Sequence, residues 1–341
     1  MKKIILMTRI SILLVFALTL INCGEKVVSS YERISGEAFG TTYNITMRSD
    51  SSDVEQRQID SLIITLNKSL STYDPNSLIS RINRGESDVA IDRYFYEIFQ
   101  KSGRIHSDSE GAFDPTIGIL VNAWGFGPEE AIPDMDQRKV DSLMMTVGYS
   151  RLKLSRGQLI KPHPNTYLDF NANAKGYGVD IICRFLDSKN VKDYLVEIGG
   201  EIRARGMNDK GLPWKVAIEE PNFDGTRSIE TIIQLENEVI ATSGNYRKFK
   251  VDSVTGEKYA HTIDTRTGYP SKTDLLSVSV IGKMECTDAD GYATAFMAMG
   301  HMHTKVFLPN HKRMKAFLIY SDEQGQIKTY KTDNLELMSS K

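Results

Sequence analysis

Residues 194–218 read YLVEIGGEIRARGMNDKGLPWKVAI and contain two short apolar runs, Tyr194–Ile198 and Trp214–Ile218. Turn-forming residues follow the first run at Gly199-Gly200 and precede the second at Asn208–Gly211. Short apolar runs bounded by glycine and asparagine turns are typical of β-strands. The sequence therefore predicts short strands in this part of the chain.

The same pattern continues on both sides of this region. Two predicted helices, Lys175–Asp187 and Thr287–Met299, interrupt the series of strands. The further predicted strands are Tyr167–Phe170, Ile229–Leu235, Val239–Thr242, Leu276–Ile281 and Lys315–Tyr320.

The N-terminal part of the chain is mainly helical. Apolar residues recur at helical spacing in Val54–Leu70 and Asp92–His106, and Met135–Val147 is a third predicted helix. Arg33–Arg48 alternates as a strand does, with an interruption at Gly40. Helices first and strands later indicate an α+β fold rather than a doubly wound sheet. We expect mixed or antiparallel sheets packed with helices in one large globular unit.

The first residues have the pattern of an export signal. Lys2, Lys3 and Arg9 precede an apolar run over 10–21, which is too short to span a bilayer as a helix. A basic start followed by a short apolar stretch is typical of a secretory signal. Cys23 then stands where a bacterial lipobox has its lipid-modified cysteine. The predicted organisation is a signal peptide at 1–22, a tether at 23–32 and one domain at 33–341.

Composition excludes some classes of protein. The chain has 42 basic and 44 acidic residues and no basic block, which argues against nucleic-acid binding. Only Cys183 and Cys286 follow Cys23, so a disulfide framework is not expected. We expect these two cysteines to be buried.

Two segments offer groups that can hold a metal ion and phosphate. Asp290 and Thr294 are four residues apart, so on a helix they share a face and present hard oxygen ligands that suit Mg²⁺. By spacing alone, acidic residues that stabilise a helix start are the better explanation of this segment. Lys175 opens a predicted helix after Asp169, where backbone amides and the lysine charge can bind phosphate. The spacing does not match a dinucleotide-binding glycine motif, because the sixth position is Ile181.

Two other segments are more ambiguous. Ser243, His261 and Asp264 are the side-chain types of a hydrolase triad, but no nucleophile-elbow motif surrounds Ser243. His261 can accept a proton from a hydroxyl, or it is a structural histidine at the end of a strand. The block 111–116, with aromatic residues and glycines continuing to Gly127, can stack on a planar ring or simply fill the core.

In their order along the chain, these motifs closely resemble the ApbE family of FAD:protein FMN transferases, from about Ile34 to Gly300. The matching segments are Gly40–Tyr43, Ser71–Tyr73, Gly111–Thr116 with Trp124–Gly127, Lys175–Asp180, Glu197–Gly200, Ala241–Gly244, His261–Asp264 with Arg266–Gly268, and Asp290 with Thr294.

The resemblance implies an ApbE-like FAD-binding domain and an activity. Such an enzyme binds FAD with Mg²⁺, cleaves the pyrophosphate, joins FMN by a phosphoester to a threonine or serine of a partner protein, and releases AMP. His261 is then the candidate for assisting the incoming hydroxyl, a role that Asp290 can also fill beside the metal. By the resemblance, the metal ligands are the Ala172 carbonyl, Asp290 and Thr294. The FAD contacts are Phe39, Tyr73, Ala112, Phe113, Asp114, Asp169, Lys175 and Ile263.

The resemblance also implies a partner and a place. The expected acceptor is a subunit of a membrane redox complex, and the expected location is the periplasmic face of a membrane, inner or outer, with anchoring through Cys23. Two alternatives stay open: a Mg²⁺-dependent FAD pyrophosphatase with water as acceptor, and a lipid-anchored flavin-binding protein without catalysis.

Overall fold

The computed structural model describes residues 30–338, apart from 50–52, 223, 225, 246–248 and 252–257. The predicted signal peptide, Cys23 and most of the predicted tether lie outside the described residues. Cys183 and Cys286 are both buried and unpaired, as expected. Among the helices of the described residues, none is long and apolar enough to cross a bilayer.

Seven α-helices lie in the described part of the chain, and side-chain caps start several of them. Asp92 and Asp136 accept backbone hydrogen bonds at two helix starts, and Glu55 and Gln58 form a capping box at a third. The helices are α1 Gln56–Leu70, α2 Leu78–Asn83, α3 Arg93–Asp108, α4 Gly118–Ala123, α5 Gln137–Met144, α6 Ala174–Ser188 and α7 Cys286–Phe307.

The strands form one large antiparallel sheet and three small hairpins. The eight-stranded sheet has the order β1-β2-β5-β6-β9-β12-β13-β14, and β3-β4, β7-β8 and β10-β11 pair separately. The strands are β1 Tyr31–Ala38, β2 Thr41–Arg48, β3 Lys153–Ser155, β4 Gln158–Ile160, β5 Tyr194–Ile198, β6 Glu201–Arg205, β7 Trp214–Glu219, β8 Ile229–Leu235, β9 Val239–Gly244, β10 Phe249–Val251, β11 Lys258–Ala260, β12 Leu275–Gly282, β13 Met314–Ser321 and β14 Ile327–Lys331.

Both faces of the large sheet are covered. On one face α6 and α7 pack against the central strands, and residues such as Val196, Val280 and Phe296 form the main core. On the other face the β7-β8 hairpin lays Trp214 and Ile233 over the sheet. A separate core lies among α1, α3 and α6. This arrangement of helices and antiparallel sheet confirms the predicted α+β fold.

One predicted strand is wrong. Tyr167–Phe170 is buried apart from the half-buried Asp169, but it pairs with no strand of the described chain. The Asn83 side chain takes the place of a neighbouring strand, because it accepts from the Leu168 amide and donates to the Leu168 carbonyl, both at 2.8 Å. The sequence analysis also missed β6, which follows β5 after the Gly199-Gly200 turn.

Candidate active site

The N-termini of α6 and α7 lie side by side, and each helix caps the other. On α6, the buried Asp180 accepts hydrogen bonds from the backbone amides of Cys286 and Thr287, both at 2.9 Å. On α7, Asp290 accepts from the backbone amide of Gly176 at 2.9 Å. A carboxylate stabilises the positive end of a helix dipole. Asp180 of α6 does this for α7 and Asp290 of α7 does it for α6, so these two contacts hold the helix starts together.

Glycine is required where these helices meet. A Cβ at Gly176 would lie 2.4 Å from the carbonyl oxygen of Cys286 and 2.9 Å from the Cβ of Asp290. The two backbones can therefore approach only because this position has no side chain. The close approach brings the loop before α6 next to the second turn of α7.

The three predicted metal ligands lie at this junction. The hydroxyl of Thr294 donates to the carbonyl oxygen of Ala172 at 3.2 Å, and Asp290 is one turn earlier on the same helix. Ser243 lies on the neighbouring strand β9, with its hydroxyl oxygen 3.5 Å from that of Thr294. The structure thus places a carbonyl, a carboxylate and two hydroxyls in one small region.

This set of donors fits a magnesium ion that is shared with a phosphate ligand. Mg²⁺ prefers oxygen ligands, keeps several waters and is held by one or two carboxylates together with substrate phosphates. In the described residues, no group of three or more His, Cys, Asp and Glu side chains could form an all-protein metal cage. The donors found here are one carboxylate and neutral oxygens. They match a magnesium site that is completed by phosphate oxygens.

Lys175 lies beside these ligands, between two buried carboxylates. Its ammonium nitrogen is 3.2 Å from Oε1 of Glu201 and 3.6 Å from Oδ1 of Asp290. Burial alone would lower the pKa of Lys175, but the charges of the two carboxylates raise it above the usual value. The lysine is therefore charged, as phosphate binding requires.

Burial opposes ionisation of both carboxylates beside Lys175, and the lysine charge favours it. Burial raises the pKa of Glu201 above its usual value, although the charge of Lys175 works against the rise. Burial also raises the pKa of Asp290, again opposed by Lys175. A cation bound at Asp290 would favour its charged form.

Several of the predicted flavin contacts surround this junction. Phe39 has a positive φ of 52° in the β1-β2 turn, and its ring lies against Gly178, where a Cβ would come within 2.5 Å of it. Phe113 is buried against Gly291, the residue after Asp290 on α7. Ala112 is half-buried beside it. The structure therefore brings these residues to the two helix starts.

The carboxylate of Asp114 is already used within the protein. It accepts from the amide and the hydroxyl of Thr116, at 2.7 and 2.6 Å, and from the amide of Tyr149 at 3.2 Å. These bonds shape the turn that follows Phe113. A side-chain contact between Asp114 and FAD stays a prediction that this geometry does not favour.

Tyr73 and Asp169 lie at the same edge of the molecule. The Tyr73 ring is 64% exposed, so it is not a core residue. Burial, followed by the charge of Asp169, raises the pKa of Tyr73. The turn that carries Tyr73 is joined to the loop before α6 by a 3.1 Å hydrogen bond from Asn171 to Thr72. An exposed aromatic ring beside the start of α6 is available for stacking on a planar ligand.

The segment 261–270 lies against the block 111–116. Thr265 donates to the carbonyl oxygen of Gly111 at 2.7 Å, and Ile263 is buried in a small core with Leu120 and Val140. His261 is half-buried at the start of this segment. Its role as a proton acceptor stays a prediction.

In the described part of the chain, the hydrogen bonds of Ser243 and Asp264 do not go to His261. Asp264 forms hydrogen bonds to the side chain of Arg266, at 3.1 Å, and to its backbone amide. The hydroxyl of Ser243 lies near Thr294, one of the predicted metal ligands. These contacts assign both residues other work and argue against a serine hydrolase.

Sequence reasoning missed two buried carboxylates of the site, Asp180 and Glu201. Asp180 is the last residue of the segment Lys175–Asp180, which carries part of the family resemblance. Glu201 comes directly after another such segment, Glu197–Gly200. Asp180 comes two positions after Gly178 in the first turns of α6, and this spacing is only a weak signal that its carboxylate caps a neighbouring helix.

Comparisons with known proteins identify the family of the chain. The family model described as the ApbE family matches residues 39–318. The FAD:protein FMN transferase of Vibrio cholerae is 38% identical over 297 residues, which are 84% of this chain and 87% of that protein. The Haemophilus influenzae protein of the same name is 36% identical over 301 residues, or 83% and 84%.

Solved structures give the same picture. The flavin transferase ApbE from Vibrio cholerae superposes with a TM-score of 0.79 at 35% identity and covers 89% of this chain and 98% of that one. The apo form of the Pseudomonas stutzeri flavinyl transferase ApbE has a TM-score of 0.78 at 30% identity, with coverage of 89% and 95%.

Proposed function

Because the chain belongs to the ApbE family, we propose that it is an FAD:protein FMN transferase. It moves the FMN part of FAD to a threonine or serine hydroxyl of an acceptor protein and releases AMP. The observation that carries the proposal is the meeting of Ala172, Asp290 and Thr294 with Lys175 at two adjoining helix starts.

The reaction moves the FMN phosphoryl group from an oxygen of AMP to the hydroxyl oxygen of the acceptor. The acceptor oxygen forms a bond to the FMN phosphorus, the bond from that phosphorus to the AMP oxygen breaks, and AMP leaves. Catalysis of such a step depends on positioning and on neutralising charge more than on covalent help from the protein. The ammonium of Lys175, at the start of α6, would hold the pyrophosphate.

A magnesium ion would complete this charge balance. The Ala172 carbonyl, the Asp290 carboxylate and the Thr294 hydroxyl would hold it, and when bound it would neutralise negative charge on the phosphates. The flavin end of FAD would lie toward Tyr73 and Phe39. His261 would accept the proton of the incoming hydroxyl, with Asp290 as the alternative acceptor.

The proposed acceptor is a subunit of a membrane redox complex that is exposed outside the cytoplasm. We place the enzyme on the same side, as a lipoprotein anchored through Cys23 and facing the periplasm. The support for this part is the N-terminal sequence alone, namely the basic start, the short apolar run and the cysteine that follows it.

The test is a covalent labelling reaction. Purified protein is incubated with FAD, Mg²⁺ and a candidate acceptor, and the acceptor is examined for flavin fluorescence on a denaturing gel. We expect a fluorescent acceptor band that disappears with EDTA or when the acceptor threonine is replaced by valine.

The same reaction separates the alternatives. Release of FMN and AMP without a labelled acceptor would identify a pyrophosphatase. Recovery of intact FAD in every sample would identify a flavin-binding protein without catalysis, and either result would overturn the proposal.

A further inference from the structure

Glu201 is a buried carboxylate that the proposed mechanism does not yet use. It is the first residue of β6 and follows Gly199 and Gly200, whose φ angles are 58° and 106°. The side chain is buried, with 1% of the residue exposed. Its Oε1 atom is 3.2 Å from the ammonium of Lys175, and its Oε2 atom accepts no hydrogen bond from the residues that the structure describes.

A buried carboxylate such as that of Glu201 lowers the stability of the fold. A buried carboxylate loses its hydration, and replacing a buried ion pair by apolar side chains of similar volume is often neutral or stabilising. A position chosen only for packing would hold a leucine or a methionine. The presence of glutamate therefore needs a reason other than stability.

The neighbours of Glu201 point to Lys175 as that reason. The lysine side chain lies over the β5-β6 turn, where a Cβ at Gly199 would come within 2.7 Å of Thr41 and 3.4 Å of the Lys175 Cδ atom. The turn therefore restrains the aliphatic part of the lysine, and Glu201 restrains its ammonium.

Asp290 cannot hold the Lys175 ammonium once a metal ion is bound at the proposed site. Its Oδ2 atom accepts from the Gly176 amide, and its other oxygen, which now faces Lys175 at 3.6 Å, is the one proposed to bind the metal. A metal ion there would compete with Lys175 for this oxygen. Glu201 is then the carboxylate that remains to hold the ammonium.

We infer that Glu201 is a positioning residue of the transfer reaction, which acts by holding the Lys175 ammonium at the start of α6 against the FAD pyrophosphate. The inference rests on the proposed function and deepens it. A positioning role makes a particular prediction, because Glu201 carries the same charge sign as the phosphates. Removing that charge should not weaken FAD binding, yet it should slow transfer.

The test compares Glu201→Gln with Glu197→Gln. Glu197 lies on β5 just before the same turn, where it accepts from Asn44 and from the Gly200 amide, and it does not touch Lys175. Both changes remove one negative charge and keep the side-chain shape. FAD affinity is measured without metal, in EDTA, by flavin fluorescence, and kcat and KM are measured in the labelling reaction with Mg²⁺.

For Glu201→Gln we expect kcat to fall by about tenfold or more, because a displaced catalytic group can cost up to about 100-fold, with FAD affinity unchanged or higher. Glu197→Gln should leave both values unchanged. Glu201→Asp keeps the charge but retracts it, so its kcat should lie between those of wild type and Glu201→Gln, and it serves in place of Glu201→Gln if that variant does not fold.

A double-mutant cycle with Lys175→Met shows whether Glu201 acts through the lysine. Glu201→Gln should cause no further loss of kcat when Lys175 is already methionine. Equal kcat in Glu201→Gln and wild type, additive losses in the cycle, or a parallel loss of FAD affinity would each overturn the inference. If wild-type protein labels no acceptor, the proposed function fails instead, and the inference fails with it.

Discussion

Asp290 accepts a hydrogen bond from the Gly176 amide and is a proposed metal ligand, and these two roles predict different effects of one substitution. In Asp290→Asn the side-chain oxygen can still accept from the Gly176 amide, so the free energy of unfolding should fall by only about 0.3–1 kcal/mol. The anionic metal ligand is lost, so transfer should fall by about 100-fold, with only partial recovery in excess Mg²⁺. Labelling at several Mg²⁺ concentrations and the melting temperature of each variant measure the two effects.

Thr294→Val is the matched milder change. It is nearly isosteric and removes only a neutral oxygen, so it should show a smaller version of the same defect. Full activity of Asp290→Asn with unchanged metal dependence would contradict the assignment, and the metal would then have to be sought elsewhere.

At the residue scale, the candidate ligands were predicted from the order of several motifs and not from any single spacing. Taken alone, Asp290 looked like an acidic residue at the start of its own helix. In the structure it caps the neighbouring helix, a contact between residues 114 positions apart. Glu201 could not be predicted, because a strand pattern gives no reason for a buried carboxylate whose partner, Lys175, lies on another element.

At the scale of elements, the mutual capping of α6 and α7 is the contact that builds the site. Asp180 accepts from two backbone amides and the Thr287 hydroxyl, and it also pairs with Arg203 at 3.2 Å. Asp180→Ala would leave these donors and the arginine without their acceptor. We expect the free energy of unfolding to fall by about 3 kcal/mol, measured by urea denaturation.

The control for this change is on the same helix. Asp187 is two turns further on, and its more exposed carboxylate pairs with Arg205, so Asp187→Ala should cost about 1 kcal/mol or less. Equal losses in the two variants would show that the helix starts are not held together as described.

A second contact between elements predicts how stability depends on pH. Glu97 on α3 forms an ion pair with Arg184 on α6 at 2.6 Å. Burial works to raise the pKa of Glu97, but the hydrogen bond and charge of Arg184 outweigh it, so the pKa lies below its usual 4.5. A carboxylate with a lowered pKa contributes stability above its usual pKa, and this is lost as the pH falls through the folded-state value.

Wild type should therefore melt at a higher temperature than Glu97→Gln at neutral pH, and the difference should shrink to zero as the pH is lowered past 4.5. Melting curves of both proteins across this range measure the effect. A difference that stays constant with pH would show that the ion pair does not cause it.

The elements themselves were predictable to different degrees. Helices such as α1 and α3 were predicted within two residues, because a long amphipathic period is local information. Tyr167–Phe170 was predicted as a strand and is not one, since the Asn83 side chain supplies the hydrogen bonds that a neighbouring strand would have supplied. An apolar run shows burial, but it does not show which group pairs with its backbone.

At the scale of the molecule, the sequence indicated the α+β class but not the order of the strands. In the sheet β5 lies next to β2, although more than 140 residues separate them, and α1 to α6 fall between. That order depends on contacts between distant segments, which no local pattern contains. The same strand order places the β5-β6 turn next to Lys175, so the geometry of the site depends on the topology of the sheet.

The last prediction concerns how the whole molecule is held near its acceptor. The folded domain begins with β1 at Tyr31, eight residues after Cys23. A chain of this length spans at most about 28 Å, so lipidation of Cys23 would keep the enzyme close to the membrane surface. Confinement of this kind raises the effective concentration of enzyme around a membrane-bound acceptor. We expect wild-type protein to fractionate with membranes and Cys23→Ser to be released from them.

Cys23→Ser should keep wild-type kcat toward a soluble acceptor fragment in vitro, since it leaves residues 31 onward unchanged, but it should label the membrane-bound acceptor in cells more slowly. Mass spectrometry of the purified wild type then decides the cause, because lipidation requires a new N-terminus at a modified Cys23. An unmodified, uncleaved N-terminus would contradict the anchor. Equal labelling in cells by both proteins would show that the anchor, if present, does not set the rate of transfer.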